Sequence, residues 1–405
     1  MKKLLPILLI FTLFCGCARG AGEDEVTHID VPPLSETMVV GETSETVETL
    51  PETEPAPVEK RYSFLAAGDN IIHSAIYEDA LARATEDSPK YNFLPMYDGI
   101  KDFIAAADIT FINQETVMAG EKYGISGYPN FNSPQEAGDT LVELGFDIVN
   151  IANNHMLDKK EAGYVDTIEY WKSKPVLLIG GYLSQDDYDD VRVYEHEGIR
   201  IAFLSYTYGT NGMYLNSGSE RIVPWIEDKD IIRQCAIAKE RADLVFASIH
   251  WGVENSNTVS SEQKRVAQLF CDNGVDVIIG HHPHVVQEMG WLFSEVSGKN
   301  TLCIYSLGNM INTMYNSYNM VGGMVTFDIV QSPEGELSIE TPMFNPTMCH
   351  YSMNRDGLQM YMLEDYTDEL VEAHGSQLHG AFTLDTLKGY VTKYVAAEFL
   401  PEFLK

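Results

Sequence analysis

Five apolar runs in this chain break off in the same way. "YSFLAAGD", "ITFINQE", "DIVNIANNH", "ADLVFASIH" and "VDVIIGHHPH" are rich in Val, Ile, Leu and Phe, and each ends in Asp, Glu, Asn or His. Short, nearly continuous apolar runs read as strands buried on both faces. Between them lie stretches with helical spacing, such as "DGIKDFIAAAD" and "SPQEAGDTLVELG", the second opening on Ser133 as a helix cap. Further runs follow in "VLLIGG", "IRIAFLSYT", "TLCIYSLGN" and "GGMVTFDIV". Strands alternating with amphipathic helices predict an α/β body with a largely parallel sheet. From Gln331 the tail reads as added strands ("ELSIETPMF") and a final helix ("TLDTLKGYVTKYVAAEFL") packed on the same body.

The polar residues matter because of where they fall. In open α/β sheets the ligand crevice lies just beyond the carboxyl ends of the strands. Asp69, Asn113 with Glu115, Asn153 with Asn154 and His155, His250, and His281 to His284 occupy five separate strand ends. One convergent site is expected there. "GHHPHVVQ" carries the strongest signal, since Pro283 stiffens the backbone and aims His282 and His284 the same way. Carboxylate, amide and imidazole donors without thiolate suit Mn, Zn or Fe, and are too rich in nitrogen for Ca or Mg. One or two such divalent ions can activate a water and clamp the oxygens of a hydrolytic displacement.

The ordered set "GD" (Asp69), "NQE" (Glu115), "NNHMLD…G" (Asn154, His155, Asp158, Gly163), "HWGVE" (His250, Glu254), "GHHPHVVQ" and "SLGN" (Ser306 to Asn309) resembles the CapA-type poly-γ-glutamate capsule biosynthesis proteins. The resemblance covers residues 61–330. It implies the fold of the calcineurin-like metallophosphatases, a four-layer α/β/β/α sandwich with mixed sheets and metals at the strand ends. It also implies roles. Asp69 and His284 would bind one ion, Asn154, His250 and His282 the other, and Glu115 would bridge them. His155 would protonate a leaving group or steady the transition state, with Asp158 as its nearest carboxylate. Asn70, Asn113, Glu254, His281, Gln287 and Asn309 are expected around the ligands, touching substrate or supporting them. The chain departs from the phosphatase pattern at its first motif, where Ile71 stands for the usual His and His73 comes two residues later. Met156 likewise replaces the acidic residue after His155. A poorly furnished first position implies one tightly held ion, or a weakly held second.

The N-terminus adds an address. Lys2 and Lys3 precede an apolar stretch from Leu4 to Phe14, then Gly16 and Cys17. That is the layout of a secretory signal over residues 1–20, too short for a comfortable span. Its end resembles a lipoprotein cleavage box that would lipidate Cys17. Residues 21–60 hold eleven acidic residues and one basic among Thr, Ser and Pro, which is the composition of an extended, disordered tether. The expected location is the outer face of a bacterial membrane, lipid-anchored, with simple secretion as the alternative. The other four cysteines, Cys235, Cys271, Cys303 and Cys349, form no CxxC pair and read as buried thiols.

Charge narrows the partners. With 60 acidic against 27 basic residues the net charge is -33, which excludes nucleic acid. An anionic surface polymer such as poly-γ-glutamate could be held only through a cation. Two readings follow: a metal-dependent hydrolase or transfer enzyme acting on a phosphoester or γ-glutamyl amide, or a non-catalytic assembly protein that grips carboxylates through its metal. Membrane proteins of polymer synthesis are expected partners in either case.

Overall fold

The computed structural model describes residues 58–405. The expected signal segment, Cys17 and nearly all of the expected acidic tether lie outside the described residues. Fourteen strands follow: β1 (Lys60–Asn70), β2 (Ile109–Gln114), β3 (Ile148–Asn150), β4 (Leu177–Ile179), β5 (Arg192–His196), β6 (Ile199–Thr207), β7 (Leu244–His250), β8 (Val277–His281), β9 (Met289–Phe293), β10 (Asn300–Ile304), β11 (Asn309–Ile311), β12 (Val321–Gln331), β13 (Leu337–His350) and β14 (Gln359–Met362).

They build two mixed sheets. One runs β14-β13-β12-β1-β2-β3-β4 with β11 beside the end of β1, and the other runs β5-β6-β7-β8-β10-β9. The apolar runs do pair in parallel, β1 to β4 in one sheet and β6, β7, β8 and β10 in the other. The single, largely parallel sheet read from the apolar runs is therefore corrected, and the mixed sheets are those the family resemblance implied. The antiparallel pairs come from β5, β9 and the late strands β12 to β14, whose partners lie far away or across a turn.

Four phenylalanines join the sheets. Phe64 of β1 lies 4.8 Å from Phe327 of β12 and 5.2 Å from Phe246 of β7, which lies 5.6 Å from Phe203 of β6. Helices cover the outer faces, giving four layers. Ile231, Cys235, Ala238, Val266 and Phe270, from the helices Asp228–Arg241 and Ser261–Asp272, pack on Ala202, Leu204, Val245 and Ile249. The buried Ile168 and Trp171 of the helix Lys160–Lys172 and Leu387 and Val391 of the helix Leu384–Thr392 join the larger core cluster. Cys235, Cys271, Cys303 and Cys349 are free and buried.

Two local expectations change. Ser133 does not cap a helix, because the helix starts at Glu136 and the Ser133 hydroxyl bonds Thr116 Oγ1 at 2.6 Å instead. The last helix stops at Thr392, capped at its start by Thr383.

The ends of the strands are built by one rule each. At the amino end, an Asp just before a parallel strand accepts a backbone N–H from its neighbour. Asp108 takes Ser63, Asp147 takes Thr110, Asp243 takes Arg200 and Asp276 takes Val245, at 2.8 to 2.9 Å. At the carboxyl end, the alternation of side chains carries the inward rows out of the core and into polar residues. Phe111 leads to Asn113 and Glu115, Ile148 to Asn150, Phe203 to Ser205, Phe246 to Ser248 and His250, and Ile279 to His281, all buried. The core turns polar at this end.

Candidate metal centre

Asp69 reaches the cluster through a break in register. The β1–β2 ladder shifts between Ala67 and Asp69, a bulge that re-aims the side chain. Gly68 is required there, since a Cβ would lie 2.2 Å from the carbonyl oxygen of Gly308. The carboxylate is then held from every side. Oδ1 accepts from Asn113 Nδ2 at 2.8 Å and faces His281 Nδ1 at 3.1 Å. Oδ2 accepts the His282 backbone N–H at 3.1 Å and faces His284 Nδ1 at 3.2 Å. Behind Asn113 a buried amide ladder continues. Asn150 Nδ2 donates to Asn113 Oδ1 at 2.7 Å, and Ser205 of the other sheet donates to Asn150 Oδ1 at 2.5 Å. The ladder ties the Asp69 rotamer to both sheets.

His282 and His284 flank Pro283 in left-handed backbone, with φ of 96° and 58°. Non-glycine residues pay for such conformations, and they persist where surrounding structure enforces them. Their rings are 5.7 Å apart and inclined by 64°. His284 is fixed by Asn309, whose Oδ1 lies 3.0 Å from His284 Nδ1. Asn319 donates to the His284 carbonyl at 3.0 Å.

Glu115 is the centre of the group. Its oxygen Oε1 lies 3.7 Å from His250 Nε2 and 3.6 Å from His284 Nε2, yet neither carboxylate oxygen has a hydrogen-bond partner although both are buried. His250 Nδ1, His281 Nε2 and His282 Nδ1 are also buried without partners. A desolvated carboxylate with no donor costs several kcal/mol or more, so these orphaned donors fit a cation. Two sets each gather donor atoms within 4.8 Å of one another: Glu115 with His282 and His284, and Asp69 with Glu115 and His250. Glu115 is common to both. Asn154 joins on the His250 side, its Oδ1 lying 3.0 Å from His250 Nε2.

Protonation agrees with that fit. Burial alone would raise Asp69, but hydrogen bonds from His281 and His284 hold it well below the usual carboxylate range. Burial lowers His250 and takes His282 down to about 3, aided by neighbouring imidazoles, so both rings are neutral and ready to ligate. Burial pushes Glu115 well up. His284, despite its burial, is raised to about 9 by the charges of Glu115 and Asp69. The Glu115–His284 pair therefore keeps a proton that a cation would displace.

Beside the ligands stands a dyad. His155 Nδ1 lies 2.8 Å from Asp158 Oδ2, which also accepts the Phe131 N–H at 2.7 Å. The Phe131 ring meets the imidazole edge to face at 4.7 Å. Asn153 Oδ1 accepts the His155 N–H at 2.9 Å and fixes the turn.

The remaining expected residues divide. Asn70 works one step back, donating to Gln114 at 2.6 Å and accepting from Tyr97 at 2.9 Å. Gln287 lies outside the cluster: it accepts from Gln263 and donates to the Ser256 carbonyl, both at 2.8 Å, holding the loop after β7. Glu254 is exposed on that same loop. His73 turns to the Thr313 N–H at 3.2 Å, and burial lowers it to about 3. Two residues escaped the sequence reading. Asn150 ends β3 with no motif around it. Tyr208 directly follows β6, and its ring lies 4.4 Å from that of His282.

Fold and site define a two-sheet α/β sandwich with a buried carboxylate–imidazole cluster at its strand ends. Residues 63–314 match the family model described as bacterial capsule synthesis protein PGA_cap, and the chain belongs to that family. It is 33% identical over 189 residues to "Capsule biosynthesis protein CapA" of Bacillus anthracis, covering 45% of this chain and 44% of that one. It is 30% identical over 179 residues to "PGA biosynthesis protein CapA" of Bacillus subtilis (strain 168), covering 44% and 45%. The match thus spans less than half the length of these curated relatives. Among solved structures, Haemophilus influenzae NAD nucleotidase aligns over 85% of this chain and 58% of its own at 14% identity and TM-score 0.44. A Thermus thermophilus 5'-nucleotidase precursor aligns over 83% and 58% at 10% and 0.43. Likeness this distant carries no activity across.

Proposed function

We propose that the chain is a lipid-anchored, extracytoplasmic protein of surface-polymer synthesis, working as a metal-dependent hydrolase or transfer enzyme on a phosphoester or γ-glutamyl amide. The observation that carries this reading is Glu115, a carboxylate buried with both oxygens unpartnered and facing His250 and His284. Asp69, Glu115, Asn154, His250, His282 and His284 would hold one or two Mn, Zn or Fe ions. When bound, such ions supply Lewis acidity and a water of lowered pKa.

The chain's own part is orientation and proton transfer. Asn113, His281 and the His282 N–H fix the Asp69 carboxylate, and Asn309 fixes His284. Asp158 accepts the Nδ1 proton of His155, which leaves Nε2 as the atom that takes or gives a proton at the reacting group. Simple polymer gripping has no use for a proton donor oriented in this way. Among the described residues no helix is long and apolar enough to cross a membrane, so attachment in this reading rests on Cys17.

The test is metal analysis with a hydrolysis screen over phosphodiesters and γ-glutamyl peptides, comparing wild type with His155→Ala. Turnover that disappears while metal stays supports the enzyme. Metal-dependent polymer binding without any turnover makes the chain an assembly protein instead.

A further inference from the structure

A cleft of about 400 Å³ adjoins the metal centre, within the size range of small-molecule sites. Its walls include Tyr208, which follows β6, and Trp251 and Val253, which follow His250 at the end of β7. Tyr208 is the shared wall. Its ring lies 4.4 Å from His282 and 6.3 Å from His250, while the residue also lines the cleft and is 45% exposed. Its backbone N–H donates to the His250 carbonyl at 3.0 Å, which ties the wall to the metal-side histidine.

Apart from the Tyr208 hydroxyl, the polar side chains of the cleft are already engaged. Ser260 Oγ accepts the Gln263 N–H at 3.1 Å, and Gln263 returns the bond to the Ser260 N–H at 2.9 Å. The Gln263 amide nitrogen donates to Gln287, and Glu262 pairs with Arg265 at 2.8 Å. Tyr208, Ile226 and the 59%-exposed Val253 remain to make contact. No Lys or Arg is among the lining residues, whereas Glu262 is, and Glu254 adjoins Val253. Such a surface attracts apolar groups and repels anions.

We infer that this cleft is a subsite for an uncharged aryl or alkyl group joined to the anionic head that the metal centre binds. The inference rests on the metal-site reading above and narrows its substrate class. A substrate would carry one charged reacting group and an apolar neighbour. The next carboxylate of an acidic polymer would meet Glu262, whose partner Arg265 is already shared between Glu262 and Asp228.

The experiment uses the full chain loaded with Mn²⁺ and three calorimetric titrants: methylphosphonate, phenylphosphonate and uncharged benzyl alcohol. Phenylphosphonate is expected to bind about tenfold or more tightly than methylphosphonate, from burial of its ring. Val253→Asn should shrink that ratio several-fold and leave methylphosphonate unchanged, and Tyr208→Ala should shrink it further. Equal affinities for the two phosphonates, or a ratio that neither variant moves, overturns the subsite. If neither phosphonate binds while benzyl alcohol does so in a Val253-dependent manner, the metal reading falls and the apolar cleft stands. If none of the three binds, both fall.

Discussion

The two ends of the sandwich use the same residue type for opposite purposes. At the amino ends of the strands, Asp108, Asp147, Asp243 and Asp276 each accept a neighbouring strand's N–H, so their carboxylates complete the backbone ladder. At the carboxyl ends, Asp69 is held by four groups that lock it in place, and Glu115 accepts no hydrogen bond at all. A satisfied carboxylate at the rim of the sheets, half-buried or exposed, stabilises the fold. Glu115, buried and without a partner beside His250 and His284, fits a cation instead, and that combination sets it apart from the carboxylates of the scaffold.

Perturbing the two ends should give different phenotypes. The largest effect is expected from His282→Ala with His284→Ala, which should reduce bound metal from near-stoichiometric to none while circular dichroism stays native. Unchanged metal content would remove the centre. Next comes His155→Ala, which should lower any turnover by about 10²- to 10⁴-fold with metal retained; metal lost in parallel would make His155 a ligand rather than a proton carrier. Asn150→Ala opens the ladder behind Asp69 and should weaken metal binding by about 10- to 100-fold, an effect that Ser205→Ala should share in smaller measure. Asp147→Ala, at the other end, should cost about 1–3 kcal/mol of stability and leave metal affinity unmoved. A drop in metal affinity there would erase the distinction between the ends.

Proton release supplies the smallest and most diagnostic signal. Glu115 is raised by burial and His284 to about 9 by its acidic neighbours, so the metal-free pair carries a proton. Ligation needs both groups deprotonated. Metal uptake should therefore release protons, and affinity should rise with pH until about 9. His250 and His282, both lowered, should add no slope near neutrality. Affinity that falls as pH rises through this range would contradict the assignment.

Much of this arrangement was legible in the chain because it follows from local periodicity. Apolar runs ending in Asp69, Glu115, His250 and His281 announced strands whose inward rows turn polar at one end, and the structure gathers those residues. What stayed hidden depends on pairings that no local pattern encodes. The bulge that turns Asp69 inward exists because β1 runs between β2 and β12 and presses against Gly308. The left-handed turn at His282 and His284 reads in sequence only as a proline between histidines. Asn150 looks like any polar residue at a strand end until Ser205 arrives from the second sheet. Gln287 and Glu254 stand farther out than the ligands, although they belong to the same motifs. Gln287 supports the loop after β7, and Glu254 faces solvent. Ser133 had the right chemistry for a cap, yet found Thr116 first.

The central claim is that Glu115 and the strand-end histidines hold an ion, and X-ray absorption at the metal edge addresses it directly. In the purified, metal-loaded chain the spectrum should show only nitrogen and oxygen neighbours at about 2.0–2.2 Å, with outer-shell scattering from at least two imidazoles that diminishes in the His282→Ala, His284→Ala variant. A shell of oxygens alone, with no imidazole scattering, would place the ion on the acidic surface and contradict the account.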